Sequence, residues 1–424
     1  MNPTDDPNTL AWVLHPDIAS NNQRRPAGNA LEEAVSLAHA LPGLEVVGSD
    51  VVKLKKPQPG MLFGKGKVSE IGTMLKAHDI ELVLVDGPVT PVQQRNLEEE
   101  WGVKLLDRTG LILEIFSDRA RTREGVLQVE MAALSYQRTR LVRAWTHLER
   151  QRGGLGFVGG PGETQIEADR RAIDDAIVRI RRQLAKVAKT RELHRAARAK
   201  VPFPIVALVG YTNAGKSTLF NRVTGANVLV KDMLFATLDP TMRSVEIPDG
   251  PEIIMSDTVG FISDLPTELV AAFRATLEEV LSADLILHVR DISHPESEHQ
   301  ARDVEEILKS LGVDSDIPKL EVWNKLDLLE SEDRETVQTR AARHDHVFTT
   351  SATTGAGIST LLDAVTIALE GKKNRVDLQL SFSEGKRRAW LFQEGVIENE
   401  EQGEDGFTVS VRWTARQEKQ YRSL

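Results

Sequence analysis

The chain has 424 residues, of which 41% are hydrophobic and 27% charged, and a formal net charge of −10. This length predicts roughly two to four domains with ample material for a core. The chain contains no cysteine, which excludes disulfides, cysteine-ligated zinc and iron–sulfur clusters. The start lacks a signal-peptide pattern, and no apolar run approaches the ~20 residues of a membrane-spanning helix. We therefore expect a cytoplasmic protein without a membrane span.

Residues 1–115 predict a small α/β domain because strand and helix patterns alternate along them. The strand-like runs are 10–14, 44–52, 81–85 and 103–106, and the helical patterns are 30–41 and 67–77. No phosphate-loop or acid–base signature is present. Gly64 to Lys67 open a helix and can meet a phosphate there, but a glycine turn with solvated lysines is the simpler interpretation.

Residues 116–200 predict an antiparallel pair of long helices. Apolar residues recur at three-, four- or seven-residue steps along 127–148 and 166–187, as in helices with coiled-coil seams. Between them, residues 152–162 form a tip with six glycines, one proline and one arginine. A ribosome- or RNA-binding arm and a connector of no functional consequence are both compatible with this pattern.

The charge of this segment favours a polyanion partner. Residues 116–200 carry 19 Lys and Arg against 10 Asp and Glu, so the rest of the chain carries a net −19. A solvated helical face is the alternative. A glycine-rich tip beside basic helix ends suits close approach to a folded RNA. The candidate RNA contacts of the tip are Arg152, Gly153, Gly154, Gly156, Gly159 and Gly160, and further candidate phosphate contacts are Arg138, Arg140, Arg143, Arg150, Arg170 and Arg171.

Residues 205–223 predict a strand, a glycine-bracketed loop and a helix start, the context in which G-x-x-x-x-G-K-S binds phosphate. The loop residues are Gly210, Tyr211, Thr212, Asn213, Ala214, Gly215, Lys216 and Ser217, followed by Thr218. Backbone N–H groups and the helix N-terminus favour a polyphosphate. Lys216 is placed to reach the β- and γ-phosphates, and Ser217 to ligate Mg²⁺.

Two further segments predict contacts to the γ-phosphate and Mg²⁺. Asp257, Thr258, Val259 and Gly260 follow a strand-like run, so that Asp257 can hold Mg²⁺ through water and the Gly260 N–H can bond the γ-phosphate. Upstream of them lie Phe235, Ala236, Thr237, Leu238 and Asp239. The Thr237 hydroxyl can ligate Mg²⁺ while its N–H contacts the γ-phosphate. Thr241 is the rival candidate, and either threonine can be a simple turn residue.

The base is predicted to be guanine. Asn324, Lys325, Leu326 and Asp327 follow another strand-like run. The Asp327 carboxylate can accept from guanine N1–H and the 2-amino group, a donor pair that adenine lacks. Asn324 can reach the Hoogsteen edge, and the Lys325 stem can cover the base. Ser351, Ala352 and Thr353 offer a backbone N–H near Ala352 to guanine O6.

The predicted fold is an α/β multidomain protein. Strands alternate with helices over residues 201–372, which predicts a GTPase domain with a mostly parallel sheet covered by helices on both faces. Residues 373–424 predict a small C-terminal α+β domain, in which no chemistry can be identified.

Five segments together resemble the HflX family of GTPases. They are the loop 210–217, residues 235–241 and 257–261, and, upstream, residues 63–68 and 152–165. The resemblance covers residues from about 10 to 375, and less distinctly the tail. It makes Thr237, not Thr241, the switch threonine and Mg²⁺ ligand beside Ser217. Lys216, Thr237 and Gly260 are then the expected catalytic residues.

The resemblance also implies partners. Family members are cytoplasmic, ribosome-associated GTPases that bind the large (50S) subunit and its rRNA, and some split stalled or idle 70S ribosomes. The family points the helical arm at the peptidyl-transferase region. We expect a monomer that binds GTP and GDP. A GTPase of RNA modification or remodelling, or a GTP-gated adaptor without catalysis, is the alternative function.

Catalysis raises two questions. Many GTPases carry a glutamine after D-x-x-G to orient the attacking water, but this chain has Phe261, as does the resembled family. We therefore expect slow hydrolysis that the ribosome stimulates.

Asn213 occupies the position where some GTPases bind K⁺ beside the phosphates, and such a cation can offset charge in the transition state. An asparagine that stabilises the turn of the loop is an equally good interpretation.

Overall fold

The computed structural model describes most of the chain. The described residues are 8–19, 25–151, 161–198, 203–226, 233–235, 240–248, 250–264, 278–313, 317–370, 373–403 and 406–422. They contain three β-sheets and a pair of long helices. Within these ranges, no helix has both the length and the apolar character needed to cross a bilayer.

The upstream domain is built on a parallel sheet with strand order β2-β1-β3-β4. Its strands are β1 Thr9–Ile18, β2 Leu44–Leu54, β3 Leu82–Val85 and β4 Lys104–Asp107. Its helices are α1 Ala27–His39, α2 Lys65–Ala77, α3 Pro91–Trp101 and α4 Arg108–Arg119. All four residues of β3 are apolar and buried, as a parallel strand covered on both faces requires. The predicted α/β fold is confirmed, but α3 and α4 were not predicted.

The predicted pair of long helices is α5 Arg123–Gln151 and α6 Pro161–Arg198. Arg138 lies thirteen residues before the end of α5 and pairs at 2.8 Å with Asp174, thirteen residues after the start of α6. This pairing is that of an antiparallel hairpin. Residues 152–160 of the glycine-rich tip lie outside the described residues.

Arg140 does not extend from the hairpin to solvent. Its guanidinium donates to Asp107 Oδ2 at 3.2 Å and to the Tyr136 hydroxyl at 2.5 Å, and its side chain is only 19% exposed. Arg138, Arg170 and Arg171 each have a carboxylate partner within 4.0 Å but stay largely solvated. Arg140 is therefore a poor candidate for an RNA contact, whereas the other three stay predictions.

The predicted GTPase domain contains a six-stranded sheet with order β10-β9-β8-β5-β7-β6, in which β6 alone runs antiparallel to its neighbour. Its strands are β5 Ile205–Gly210, β6 Thr241–Glu246, β7 Glu252–Asp257, β8 Leu285–Asp291, β9 Lys319–Asn324 and β10 Val347–Thr349. Its helices are α7 Lys216–Thr224, α8 Glu278–Leu281, α9 Ser297–Leu311, α10 Ser331–Ala341 and α11 Ile358–Glu370. The predicted mostly parallel sheet is confirmed. Because β5, β7, β9 and β10 are parallel, the four predicted motifs follow their carboxyl ends and meet at one edge.

The C-terminal domain is a three-stranded antiparallel sheet with order β11-β13-β12. Its elements are β11 Lys373–Ser381, α12 Gly385–Gln393, β12 Ile397–Gln402, β13 Gly406–Thr414 and α13 Ala415–Arg422. Leu391, Val411 and Trp413 lie in its own small core. The predicted α+β fold is confirmed, whereas the domain boundaries at 115, 200 and 372 stay predictions.

The upstream and GTPase domains share one apolar core. This core contains residues of α1, α4 and α5 together with residues of the phosphate-loop strand and of the segment after D-x-x-G. Phe116 of α4 packs edge-to-face on Phe235, with ring centroids 4.6 Å apart. The nucleotide end of the GTPase domain is therefore in direct contact with the domain that carries the hairpin.

His288 gives the fold a pH-dependent contribution. It lies in the buried strand β8, is 1% exposed, and its Nδ1 has no hydrogen-bond partner within the described ranges. Burial lowers the pKa of His288 to about 4, whereas an unfolded histidine titrates near ~6.5. Between these values the unfolded chain binds a proton that the folded chain does not, so the free energy of unfolding decreases as the pH falls.

We expect His288→Leu to remove this contribution. From pH 6.5 to 4, the free energy of unfolding of the variant should fall by about 3 kcal/mol less than that of the wild type. Urea denaturation at several pH values measures the difference. His344→Leu is the matched control because His344 is exposed. Parallel pH profiles for His288→Leu and the wild type would contradict the assignment.

Candidate functional site

The phosphate loop connects β5 to α7 and has a backbone that only glycine permits at two positions. Gly210 and Gly215 adopt φ values of 152° and 91°. A Cβ on Gly210 would lie 2.1 Å from the carbonyl oxygen of Val289, and one on Gly215 would lie 2.2 Å from Nδ2 of Asn324. Both glycines therefore allow close approach between the loop and the neighbouring strand ends.

Lys216 lies at the start of α7 and is buried. Its Nζ donates to the carbonyl oxygens of Gly210 at 3.1 Å and Tyr211 at 2.7 Å. Burial lowers the pKa of Lys216 to about 8, although the Asp257 carboxylate opposes this shift. An anionic phosphate beside Nζ would favour the charged form, as expected of a lysine that binds a polyphosphate.

The oxygen atoms expected at a magnesium ion lie together. The Ser217 hydroxyl donates to Oδ2 of Asp257 at 2.7 Å, and Asp257 is fully buried. Mg²⁺ prefers oxygen ligands, is held by few protein groups and takes its remaining ligands from water and phosphate. One hydroxyl and one carboxylate side by side fit that coordination. Thr237, the third candidate, lies outside the described residues together with Ala236, Leu238 and Asp239.

The segment after D-x-x-G is fastened to the phosphate loop. The Phe261 N–H donates to the Gly210 carbonyl at 3.1 Å, and the Thr212 N–H donates to the Phe261 carbonyl at 2.7 Å. Thr258 Oγ1 donates to the Leu208 carbonyl at 2.6 Å. The Phe261 ring is 1% exposed and lies in the shared core. It offers no group that can orient water.

The candidate guanine site is assembled from three segments through Asn324. Its Nδ2 donates to the Ala214 carbonyl at 2.9 Å, and its Oδ1 accepts from the Ala352 N–H at 3.0 Å. Lys325 pairs with Asp291 at 2.8 Å, which fixes the lysine stem. Asp327 lies in a short helical turn, Leu326–Leu328, and is partly exposed. The predicted loop, N-K-L-D and S-A-T segments are thus brought together.

The remaining candidate nucleotide-binding residues are described by their hydrogen bonds, backbone conformation or burial. Ser351 accepts from the Thr354 N–H at 3.1 Å, and the Thr353 carbonyl accepts from Arg222 of α7. Thr218 lies in the first turn of α7, and Asn213 adopts a φ of 57°, which asparagine tolerates better than most residues. The side chains of Val259, Leu326 and Phe235 are buried. A nucleotide contact from any of these three would come from the backbone.

A buried charged network was not predicted and joins the upstream domain to this site. The Tyr211 hydroxyl donates to Oε2 of Glu33 in α1 and accepts from the Ser263 N–H at 2.8 Å. Arg108 donates to Glu33 at 2.6 Å and to the Ser263 carbonyl at 2.9 Å. Arg25 bridges Glu33 and Glu296. Both the phosphate loop and the segment after Phe261 are therefore held by the upstream domain.

Four family models match successive parts of the chain. They are described as "GTP-binding GTPase N-terminal" over residues 28–117, "GTP-binding GTPase Middle Region" over 119–198, "50S ribosome-binding GTPase" over 205–325 and "HflX C-terminal domain" over 336–423. A solved GTP-binding protein from Sulfolobus solfataricus in complex with GDP is 22% identical. The match covers 85% of this chain and 98% of that one, with a TM-score of 0.44.

Curated relatives match nearly the whole chain. GTPase HflX of Magnetococcus marinus is 50% identical over 95% of this chain and 91% of the relative. GTPase HflX of Escherichia coli is 46% identical over 90% and 88%. Putative GTP-binding protein 6 of Xenopus laevis is 34% identical over 95% and 76%. With these matches and the P-loop fold, the chain belongs to the HflX family of GTPases, which bind guanine nucleotide and hydrolyse GTP.

Proposed function

We propose that this GTPase associates with the 50S ribosomal subunit and splits or rescues stalled and idle 70S ribosomes, and that the ribosome stimulates its GTP hydrolysis. The observation that carries the proposal is the direct packing of a GTPase domain, matched by a 50S ribosome-binding model, against a domain that bears a basic helical hairpin. The hairpin segment has 19 basic residues against 10 acidic ones. Phosphate contacts by such residues supply sequence-independent affinity for RNA.

The packing of the upstream domain on the GTPase domain connects the hairpin to the nucleotide site. Helix α4 precedes α5 directly and contacts Phe235, two residues before the candidate switch threonine Thr237. Ser217 and Thr237 would hold Mg²⁺, with Asp257 acting through water. The ion would neutralise charge on the β- and γ-phosphate oxygens. Binding of a partner at the hairpin can therefore alter nucleotide binding, and the bound nucleotide can alter partner binding at the hairpin.

Hydrolysis by the isolated protein should be slow because the buried Phe261 ring cannot orient water. We expect purified 50S subunits to raise the rate of GTP hydrolysis by ~10³ or more, the lower end of the range for catalytic groups supplied to GTPases. Phosphate release with and without 50S subunits measures this ratio. Equal rates would contradict the proposal and favour a GTPase that acts on another partner.

Deleting residues 153–162 tests the tip of the hairpin. The variant should bind GDP as the wild type does, because none of these residues is among the predicted nucleotide contacts, but it should lose stimulation by 50S subunits. Arg152→Glu should weaken 50S binding and reduce the dependence of its affinity on salt concentration. Lys309→Glu, which makes the same charge change at an exposed position of α9, is its control. Unchanged stimulation by the deletion variant would refute the role of the tip.

A further inference from the structure

We propose that the Tyr211 hydroxyl positions the γ-phosphate contact of this site. It would do so by tying the segment that follows Gly260 to the phosphate loop, so that binding of GTP, but not of GDP, depends on it. Tyr211 is then a positioning residue, because it acts through the Gly260 N–H and not on the nucleotide. The proposal rests on Gly260 as the predicted γ-phosphate contact and does not require that the ribosome be the partner.

Two attachment points join the phosphate loop to the segment that follows Gly260. At the first, the Phe261 backbone makes hydrogen bonds of 3.1 and 2.7 Å with the residues on either side of Tyr211. At the second, the Tyr211 hydroxyl accepts from the Ser263 N–H at 2.8 Å and lies 2.8 Å from the Ser263 hydroxyl. A segment attached at Phe261 alone could pivot there, whereas two attachments two residues apart hold its direction.

Gly260 lies directly before the first attachment point and packs closely on the phosphate loop. A Cβ there would be 2.8 Å from Cα of Thr212 and 3.0 Å from Nζ of Lys216. Lys216 and the Gly260 N–H are the two groups expected to bind the γ-phosphate. The distance between these two groups is therefore set by how the segment lies on the loop. GDP lacks the γ-phosphate, so its binding does not use the Gly260 N–H.

Glu33 of α1 fixes the orientation of the Tyr211 hydroxyl. The hydroxyl donates to Oε2 of Glu33, which leaves its oxygen to accept from the Ser263 N–H. Burial and the Glu33 charge raise the pKa of Tyr211, so the hydroxyl keeps its proton at neutral pH. Glu33 is in turn paired with Arg25 and Arg108. The upstream domain therefore supplies the acceptor that orients the positioning bond.

Loss of the hydroxyl would detach Ser263 from the phosphate loop but not from the upstream domain. Ser263 is 4% exposed, so its N–H would be buried without this acceptor, which is unfavourable. Its carbonyl would still accept from Arg108 at 2.9 Å. The Tyr211 ring lies in the shared core, and a phenylalanine ring would fill the same space. We therefore expect the fold to survive while the segment shifts relative to the loop.

Tyr211→Phe tests this role, because it removes the hydroxyl and keeps the ring. Affinity for a non-hydrolysable GTP analogue should fall by ~10-fold, the effect of losing one hydrogen bond to a charged group. GDP affinity should stay at the wild-type level. Single-turnover GTP cleavage should slow by ~10-fold or more, because small displacements of a positioned group reduce the rate strongly. Both affinities and the cleavage rate are measured on the full chain without ribosomes.

Tyr136→Phe is the matched control. The Tyr136 hydroxyl donates to Asp107 at 2.6 Å and accepts from Arg140 at 2.5 Å. The control therefore removes a paired tyrosine hydroxyl between β4 and α5. We expect it to lower the free energy of unfolding without changing the ratio of GTP-analogue affinity to GDP affinity. A ratio that changes equally in both variants would mean that any lost tyrosine hydroxyl disturbs the site, and would contradict the proposal.

An unchanged affinity ratio and cleavage rate in Tyr211→Phe would overturn the proposal. Equal losses of GTP-analogue and GDP affinity would also overturn it, because they would assign the hydroxyl a structural role. If Tyr211→Phe does not fold, Ser263→Ala takes its place. This variant removes the contact between the two hydroxyls and the bond from Ser263 to Asp303. Weaker binding of the analogue at wild-type GDP affinity supports the proposal, and wild-type affinity for both nucleotides contradicts it.

Discussion

Replacing Asp327 with asparagine should lower the affinity for GDP by ~10²-fold or more, about 3 kcal/mol. In the proposed site the Asp327 carboxylate would accept two hydrogen bonds from guanine, one from N1–H and one from the 2-amino group, and both would be charge-assisted. An asparagine presents one acceptor and one donor. Its amide N–H₂ would then face the 2-amino group, and two donors would be left opposed.

The same change should create affinity for xanthosine diphosphate. Xanthine keeps the N1–H donor but has an oxygen at position 2, so the asparagine oxygen and amide can pair with both groups. Equilibrium binding of fluorescent GDP and xanthosine diphosphate analogues measures the switch. Asp333→Asn on α10 is the matched control because it makes the same charge change at an exposed site. Retained GDP preference in Asp327→Asn would exclude Asp327 as the guanine ligand.

The second large effect is expected from Arg108→Met, which should lower the free energy of unfolding by about 3–5 kcal/mol at neutral pH. Arg108 is 7% exposed and donates to Asp86 at 2.6 Å, to Glu33 at 2.6 Å and to the Ser263 carbonyl at 2.9 Å. Methionine fills much of the space but leaves two buried carboxylates without their main counter-charge. Urea denaturation measures the loss.

The pH dependence of this loss identifies its cause. Burial alone would raise the pKa of Glu33 and of Asp86, but the Arg108 charge, helped by Arg25 at Glu33 and by His15 at Asp86, lowers both. Carboxylates with lowered pKa values stabilise the fold above their unfolded pKa values of 4.5 and 3.8, and this contribution disappears as the pH falls through the folded values. The difference in the free energy of unfolding between the wild type and Arg108→Met should therefore become smaller as the pH drops below 4.

The same substitution at an exposed arginine shows whether the loss of stability comes from the buried charges or from removing any arginine. Arg95 pairs with Glu99 on the exposed face of α3, and its side chain is 78% exposed. Arg95→Met should leave the free energy of unfolding close to the wild-type value, because water already screens this ion pair. Similar losses for Arg95→Met and Arg108→Met would show that the buried network does not stabilise the domain contact.

The nucleotide motifs could be predicted because each is local. Gly215, Lys216 and Asp257 lie at the ends of apolar runs, and parallel strands bring such ends together whatever the rest of the chain does. The network around Tyr211 could not be predicted in this way. Glu33 lies 178 residues from Tyr211 along the chain, and no period or spacing links two residues so far apart.

The start of helix α3 is marked by a local sequence signal, although the helix was not predicted. Thr90 accepts from the Gln93 N–H at 3.2 Å, and the Gln93 side chain accepts from the Thr90 N–H at 2.9 Å. This is a capping box with Pro91 at the first helical position. Its sequence, T-P-V-Q, marks a helix start. Apolar residues are too sparse in the following turns to indicate a helix by periodicity alone.

The most direct test of the account is the splitting of 70S ribosomes, followed by sucrose-gradient sedimentation. Ribosomes are mixed with the wild-type protein and GTP, GDP or a non-hydrolysable GTP analogue. We expect subunits to separate with GTP and with the analogue but not with GDP, because binding of the GTP-loaded protein, not hydrolysis, would drive separation. Intact 70S particles under all three conditions, or equal splitting with GDP, would contradict the proposed function.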